Sequence, residues 1–192
     1  MDNRDDPGFP DCAFWDFSVA VHARGRVADA CLALQDRDGA RVNLLLLCCW
    51  AAASGRGALD DAALTRAMAA TDAWHGDVVM RLRAARRALR AASGSAPRAT
   101  VEALRRRLLG VELDGERIEQ AMLAATLTTR PDVARPLETR LDDAAIALGR
   151  YLGRAGIALG RRVRDDLAAL LGGAFPELPE AEIAARRRFI SE

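Results

Sequence analysis

Residues Val42 to Ala53 read Val-Asn-Leu-Leu-Leu-Leu-Cys-Cys-Trp-Ala-Ala-Ala, and Asn43 is the only strongly polar side chain among them. An apolar run of this length with no turn residue exceeds an ordinary strand and predicts a buried helix. Its leucines cover more than one face of a 3.6-residue repeat, so the helix needs neighbours on several sides. It falls short of the roughly 20 apolar residues that cross a bilayer. The core is therefore centred here. Asn43, if buried, has to find hydrogen-bond partners, which are expected in the preceding turn or in the first helix.

Around that run the chain reads as helix throughout. Ala, Leu and Arg, all good helix formers, dominate, while β-branched and aromatic residues are scarce. The expected fold is all-α, a compact bundle of seven or eight helices with short loops. A first helix from about Cys12 to His22 would be capped by Asp11 and bury Phe14, Phe17 and Val21. A second, about Arg26 to Gln35, aligns Val27, Cys31 and Leu34 on one face. The turn Gln35–Gly39 leads into the central helix, with Asp38 as a possible cap. A further helix runs from Leu59 to about Ala70, and Thr71 or Asp72 is expected to cap the next. That one, Ala73 to about Ala92, lines up Trp74, Val78, Leu82, Ala85 and Leu89, which puts Arg83, Arg86, Arg87 and Arg90 broadly opposite. Arg81 falls beside the Trp74 edge, the position of a partly buried guanidinium with a carboxylate or aromatic neighbour.

Past the flexible connection Ala92–Pro97, a long helix runs from Thr100 towards Thr126, and Thr129-Arg130-Pro131-Asp132 is the clearest internal boundary. Two more helices are expected, Val133 or Pro136 to Gly153 and Ile157 to Leu171. The chain thus divides into an N-terminal arm (1–11), a helical core (12–130), a helical pair packed on it (131–173) and a charged terminal segment (174–192).

The formal net charge is only +1, so the whole chain has no strong pull on nucleic acid or anionic membrane. All 28 basic residues are Arg, a bias that a GC-rich genome explains. The charge is uneven, however: nine Arg and one Glu lie between Arg81 and Gly110. Arg81, Arg83, Arg86, Arg87, Arg90, Arg105, Arg106 and Arg107 are the candidate contact residues. Glu112 and Glu116, four apart, form one acidic edge beyond them.

Little else carries chemistry. Cys12, Cys31, Cys48 and Cys49 have no CxxC spacing, and with two His the pattern implies reduced core thiols rather than a metal centre. Asp60-Asp61, Asp142-Asp143 and Asp165-Asp166 lack the DDxxD spacing that holds magnesium and diphosphate between helices. His22 and His75 lack the Glu-x-x-His pairing of di-iron bundles. No Gly-rich phosphate loop or GxSxG elbow occurs. No catalytic residue, metal or cofactor is assigned. The polar, acidic first eleven residues, with Pro7 and Pro10, predict no secretory leader and a cytoplasmic protein.

Phe14-Trp15-Asp16-Phe17-Ser18, then Gly25-Arg26-Val27, Ala30-Cys31-Leu32, Leu34-Gln35-Asp36 and Gly39, then Val42-Asn43-Leu44-Leu45-Leu46 with Cys48 and Trp50, resemble the signature of an uncharacterised bacterial family. Trp74 with Val78, Leu82-Arg83, Arg86-Arg87 and Leu89, and Glu112-Leu113 with Glu116-Arg117, resemble it further along. The likeness spans roughly residues 12–125. It implies a short cytoplasmic all-helical protein and supplies no catalytic role.

The leading expectation is a non-catalytic binding or adaptor domain that engages an acidic protein surface through its Arg-rich helix faces, without a membrane. Nucleic-acid backbone binding is a weaker alternative, since no zinc finger, helix-turn-helix or interleaved aromatics accompany the arginines. An enzyme handling a small molecule or phosphate is the other alternative. It would need a pocket joining Asp16, Asp36 and Asn43 to Arg81 and an acidic helix.

Overall fold

A computed structural model describes residues 8–91 and 96–186. Residues 1–7 of the expected arm, 92–95 of the expected connection and 187–192 of the terminal segment lie outside the described residues. The described chain folds into helices without strands: α1 (Ala13–His22), α2 (Val27–Asp38), α3 (Val42–Ala53), α4 (Asp61–Trp74), α5 (Met80–Ala91), α6 (Arg98–Ala125), α7 (Leu137–Arg154), α8 (Arg161–Ala174) and α9 (Glu180–Ala185). A π-helical turn, His75–Val79, joins α4 to α5 without a break, so eight continuous helices form the all-α bundle.

α3 is the axis of the molecule. Leu44 to Cys49 are fully buried, and α3 packs most extensively against α7, with α1, α6 and α8 also in contact. Each fully buried leucine contributes about 1.5–3 kcal/mol. Leu141, Ala144, Leu148 and Leu152 supply the α7 stripe. Phe14 of α1 stacks on Trp50, with ring centroids 5.0 Å apart, and Arg56 lies 4.5 Å over the same indole. On the far side, α2 packs on α8, where Gly173 lets the helices close: a Cβ there would sit 2.4 Å from a Val27 methyl.

Several helix ends are closed by side chains from elsewhere in the chain. The Arg41 backbone N–H, at the start of α3, donates to the Tyr151 hydroxyl at 2.7 Å. Arg140 donates to the Ala53 carbonyl at 3.0 Å, and Arg24 to the Gly173 carbonyl at 2.7 Å. These bonds satisfy groups that a helix terminus leaves unpaired.

Three local expectations are corrected. Cys12, not Asp11, precedes α1, and no side chain caps it. α2 continues through Asp38 and ends at Gly39, whose positive φ of 75° closes the helix in a conformation that glycine adopts freely. No cap interrupts the chain at Thr71 or Asp72. Thr71 is buried and bonds back to the Ala67 carbonyl at 3.0 Å, and the helix runs on through the π turn.

Candidate ligand-binding site

Glu112, Glu116, Glu119 and Gln120 recur at i, i+4, i+7 and i+8 along α6, so they share one side of the helix. That side faces α3 and the α4–α5 helix rather than solvent. Glu119 is fully buried. Arg41 donates to its Oε1 at 2.7 Å and Asn43 to its Oε2 at 2.7 Å. His75 Nδ1 lies 3.1 Å from Oε1; against a carboxylate this nitrogen carries the proton and donates. Asn43 Oδ1 accepts from Gln120 Nε2 at 2.8 Å. Arg41 is itself held by Asp72 and Thr71, both at 2.6 Å. Burial alone would push the Glu119 carboxyl up, but the bonds from His75, Arg41 and Asn43 outweigh it and hold the group below the usual carboxylate range. Asn43 therefore finds its partners on α6, seventy-six and seventy-seven residues away, not in the preceding turn or α1.

A second ionic layer lies towards the N-terminus of α6, beginning one turn before Glu119. Arg83 Nε donates to Glu112 at 3.0 Å and its Nη2 to Glu116 at 2.5 Å, while Arg86 grips Glu112 with two bonds. Burial would raise the Glu112 carboxyl, yet Arg86 and Arg83 hold it low. Glu116 goes the other way. Burial pushes its carboxyl up, Arg83 compensates only in part, and Glu112 and Glu119 add repulsion.

The π turn produces this layer. A π turn inserts one residue into an α-helical repeat and rotates everything after it by about 100°. Val79 and Arg83 accordingly face inward, and Arg83 is only 7% exposed. The uninterrupted helix expected from the sequence would have put Arg83 outside and Arg81 at the buried edge. Arg81 is instead solvent-exposed and pairs with Asp77 at 2.8 Å. A guanidinium that does lie over aromatic rings on this side is that of Arg117, 4.9 Å from Phe9 and 5.9 Å from Trp15.

These groups form the polar end of a cavity of about 430 Å³ enclosed by α1, α2, the start of α3, the π turn and α6. Its apolar wall includes Trp15, Val19, Cys31, Leu32, Val42 and Leu113; Asn43, His75, Arg83, Glu116, Glu119 and Gln120 line the other side. Of the three residues expected in a pocket, only Asn43 lines it. Asp16 is exposed, and Asp36 is exposed and paired with Arg87. Sequence alone assigns Glu119 and Gln120 to no site, although their helical spacing with Glu112 and Glu116 on α6 is available there, and it marks His75, in the π turn, only as lacking a di-iron partner. A wider cleft of about 670 Å³ between the α1–α2 link, α8 and α9 is less organised for recognition, since Arg24 on its wall is engaged by the Gly173 carbonyl.

The remaining arginines are partly neutralised. Arg87 pairs with Asp36 and Arg105 with Glu102. Arg90, Arg106 and Arg107 are exposed and form no ion pair among the described residues. The thiols of Cys31, Cys48 and Cys49 are buried and unbridged, and burial pushes that of Cys31 up to about 12. Among the described residues no three His, Cys, Asp or Glu side chains are grouped to hold a metal ion, and no helix is long and apolar enough to cross a membrane.

A protein family described as a protein of unknown function (DUF2390) matches residues 13–123. That span runs from α1 into the last turn of α6 and contains every residue lining the 430 Å³ cavity. No curated protein and no solved structure matches the chain.

Proposed function

The chain belongs to the DUF2390 family, and we propose that it is a small-molecule-binding domain whose ligand occupies the cavity beside Glu119. One observation carries this reading: a buried carboxylate, fixed by three donors from the start of α3 and from the π turn, stands behind an apolar cavity of ligand size. Ligand sites characteristically combine apolar walls with a few preorganised polar groups, and π turns inside α-helices occur frequently at functional sites. Binding is favoured over covalent catalysis. The Ser18 hydroxyl on the cavity wall donates to the Phe14 carbonyl at 2.8 Å, and the raised Cys31 thiol is not a thiolate at neutral pH. A bacterial cytoplasmic setting, which the sequence resemblance implies, belongs to this proposal.

Protein-observed NMR with a set of neutral aromatic fragments tests the reading. Shifts should cluster on Trp15, Val19, Leu113 and His75, and Val19→Trp, a substitution at the cavity rim, should abolish them. Fragments that shift none of these residues, or bind equally to Val19→Trp, would rule the cavity out.

A second reading keeps the adaptor role expected from the arginines. Leu104, Leu109 and Val111 are 48%, 38% and 49% exposed on the first half of α6, on the same stretch as the unpaired Arg106 and Arg107. An acidic amphipathic partner segment fits that combination better than nucleic acid does, because apolar side chains add nothing to phosphate contacts. Substitution of Arg106 and Arg107 by Glu should abolish capture of such a partner while leaving fragment binding in the cavity intact.

A further inference from the structure

The hydrogen-bond inventory around the cavity identifies the chemistry of its occupant, provided that the cavity is a ligand site as proposed above. Several donors on its wall are engaged inside the protein. Asn43 Nδ2 is bound to Glu119, Gln120 Nε2 to Asn43, and the Ser18 hydroxyl to Phe14. Arg83 gives Nε to Glu112 and Nη2 to Glu116, and its Nη1 lies against the Met80 sulfur. Gln35 Nε2 is bound to Asp36.

Acceptors, in contrast, are left over. Gln120 is only 3% exposed, and its Oε1, shielded from the cavity surface, has no partner among the described residues. Glu116 uses one carboxylate oxygen for Arg83 and keeps the other open. His75, with its Nδ1 proton directed to Glu119, keeps Nε2 as an unpartnered acceptor. Charge agrees with this inventory. The carboxylates of Asp72, Glu112, Glu116 and Glu119 face the guanidiniums of Arg41, Arg83 and Arg86, one carboxylate in excess. An anionic ligand would add to that excess.

We infer that the cavity receives an organic cation, an apolar body ending in an amine or guanidine group that donates hydrogen bonds to Glu116 and His75 Nε2. The Trp15, Leu32 and Leu113 side holds the apolar body. Charge-assisted bonds to Glu116 would be roughly twice as strong as neutral ones, so the head group, more than the body, sets selectivity.

Calorimetric titration with three probes of one skeleton, 4-phenylbutylamine, 4-phenylbutanol and 4-phenylbutyrate, separates this inference from the reading on which it rests. The amine should bind about tenfold or more tighter than the alcohol, and the acid weaker than both. Glu116→Gln should bring the amine down to the affinity of the alcohol and leave the alcohol unchanged. Val19→Trp should abolish all three. Thermal unfolding of each variant establishes that it is folded. Equal affinities, or tightest binding of the acid, would overturn the cationic ligand while leaving the cavity as a binding site. Failure of all three probes to bind the folded wild-type protein would overturn both.

Discussion

Glu119 concentrates the polar chemistry of the interior in one carboxylate. Its donors come from the residue preceding α3, from the first turn of α3 and from the π turn, so it ties three elements together at one atom pair. Removing the charge leaves Arg41 buried with less compensation. Glu119→Gln should therefore cost about 2–4 kcal/mol in urea unfolding at neutral pH. The pH dependence follows from the direction of each shift. The folded-state carboxyls of Glu119 and Glu112 sit below their unfolded values, so their contribution is present above the ordinary carboxylate range and is lost as pH falls through the depressed values. Glu116, raised by burial, acts in the opposite sense: its contribution is present below the unfolded value and lost as pH rises through the raised one. The wild-type urea midpoint should fall as pH drops below about 4, and Glu119→Gln should flatten that fall. Glu116→Gln should leave the neutral-pH midpoint nearly unchanged. A Glu119→Gln curve parallel to wild type would refute the assignment. Asn43 was legible as a residue needing partners because it interrupts an apolar run. Glu119 was not, because in a charge-rich helix a carboxylate is ordinarily assigned to solvent; only the inward placement of its stripe distinguishes it.

At the scale of elements, the π turn decides which arginines belong to the interior. It carries His75 to Glu119 and rotates α5 so that Arg83 and Arg86 meet Glu112 and Glu116. Deleting Gly76, which is exposed and has open space around it, should restore an α-helical repeat and turn Arg83 outward. The variant should lose about 3 kcal/mol or more, since Glu112 would remain buried without its cations. Unchanged stability would show that the register of α5 does not depend on the inserted residue. The sequence pattern could not reveal this. Trp74, Val78, Leu82, Ala85 and Leu89 make a consistent stripe for an unbroken helix, and the choice of one wider turn is made by tertiary pairing across α6, not by local propensity. The α3 run, in contrast, was read correctly from residues alone, because no exposed face can accommodate Leu44 to Leu47.

For the whole molecule, the family match and the fold have different extents. The match ends at residue 123, but α7 covers α3 more extensively than any helix inside the matched span. Arg140 bonds the last carbonyl of α3, and Tyr151 bonds its first turn. Gly55, with φ 76°, places the end of α3 so close to the Asp132 carbonyl that a Cβ would lie 1.8 Å from it. A chain cut after residue 130 should therefore expose the leucines of α3 and behave as a molten or aggregating species, with near-ultraviolet circular dichroism lost; a cooperative unfolding transition in that fragment would contradict this. The bundle thus holds the apolar side of the cavity through α1–α3 and its polar side through α6, while the C-terminal helices brace α3 from behind. The ligand proposed for this frame is a cation met by the Glu116 carboxylate and the His75 imidazole. Long-range ¹⁵N NMR of the His75 imidazole tests this most directly, in the free protein at pH 7.5 and with 4-phenylbutylamine bound. Nδ1 should carry the proton donated to Glu119, and the Nε2 resonance should move towards a hydrogen-bonded position when the amine is added. A free protein whose His75 carries its proton on Nε2, or an Nε2 resonance indifferent to saturating amine, would contradict it.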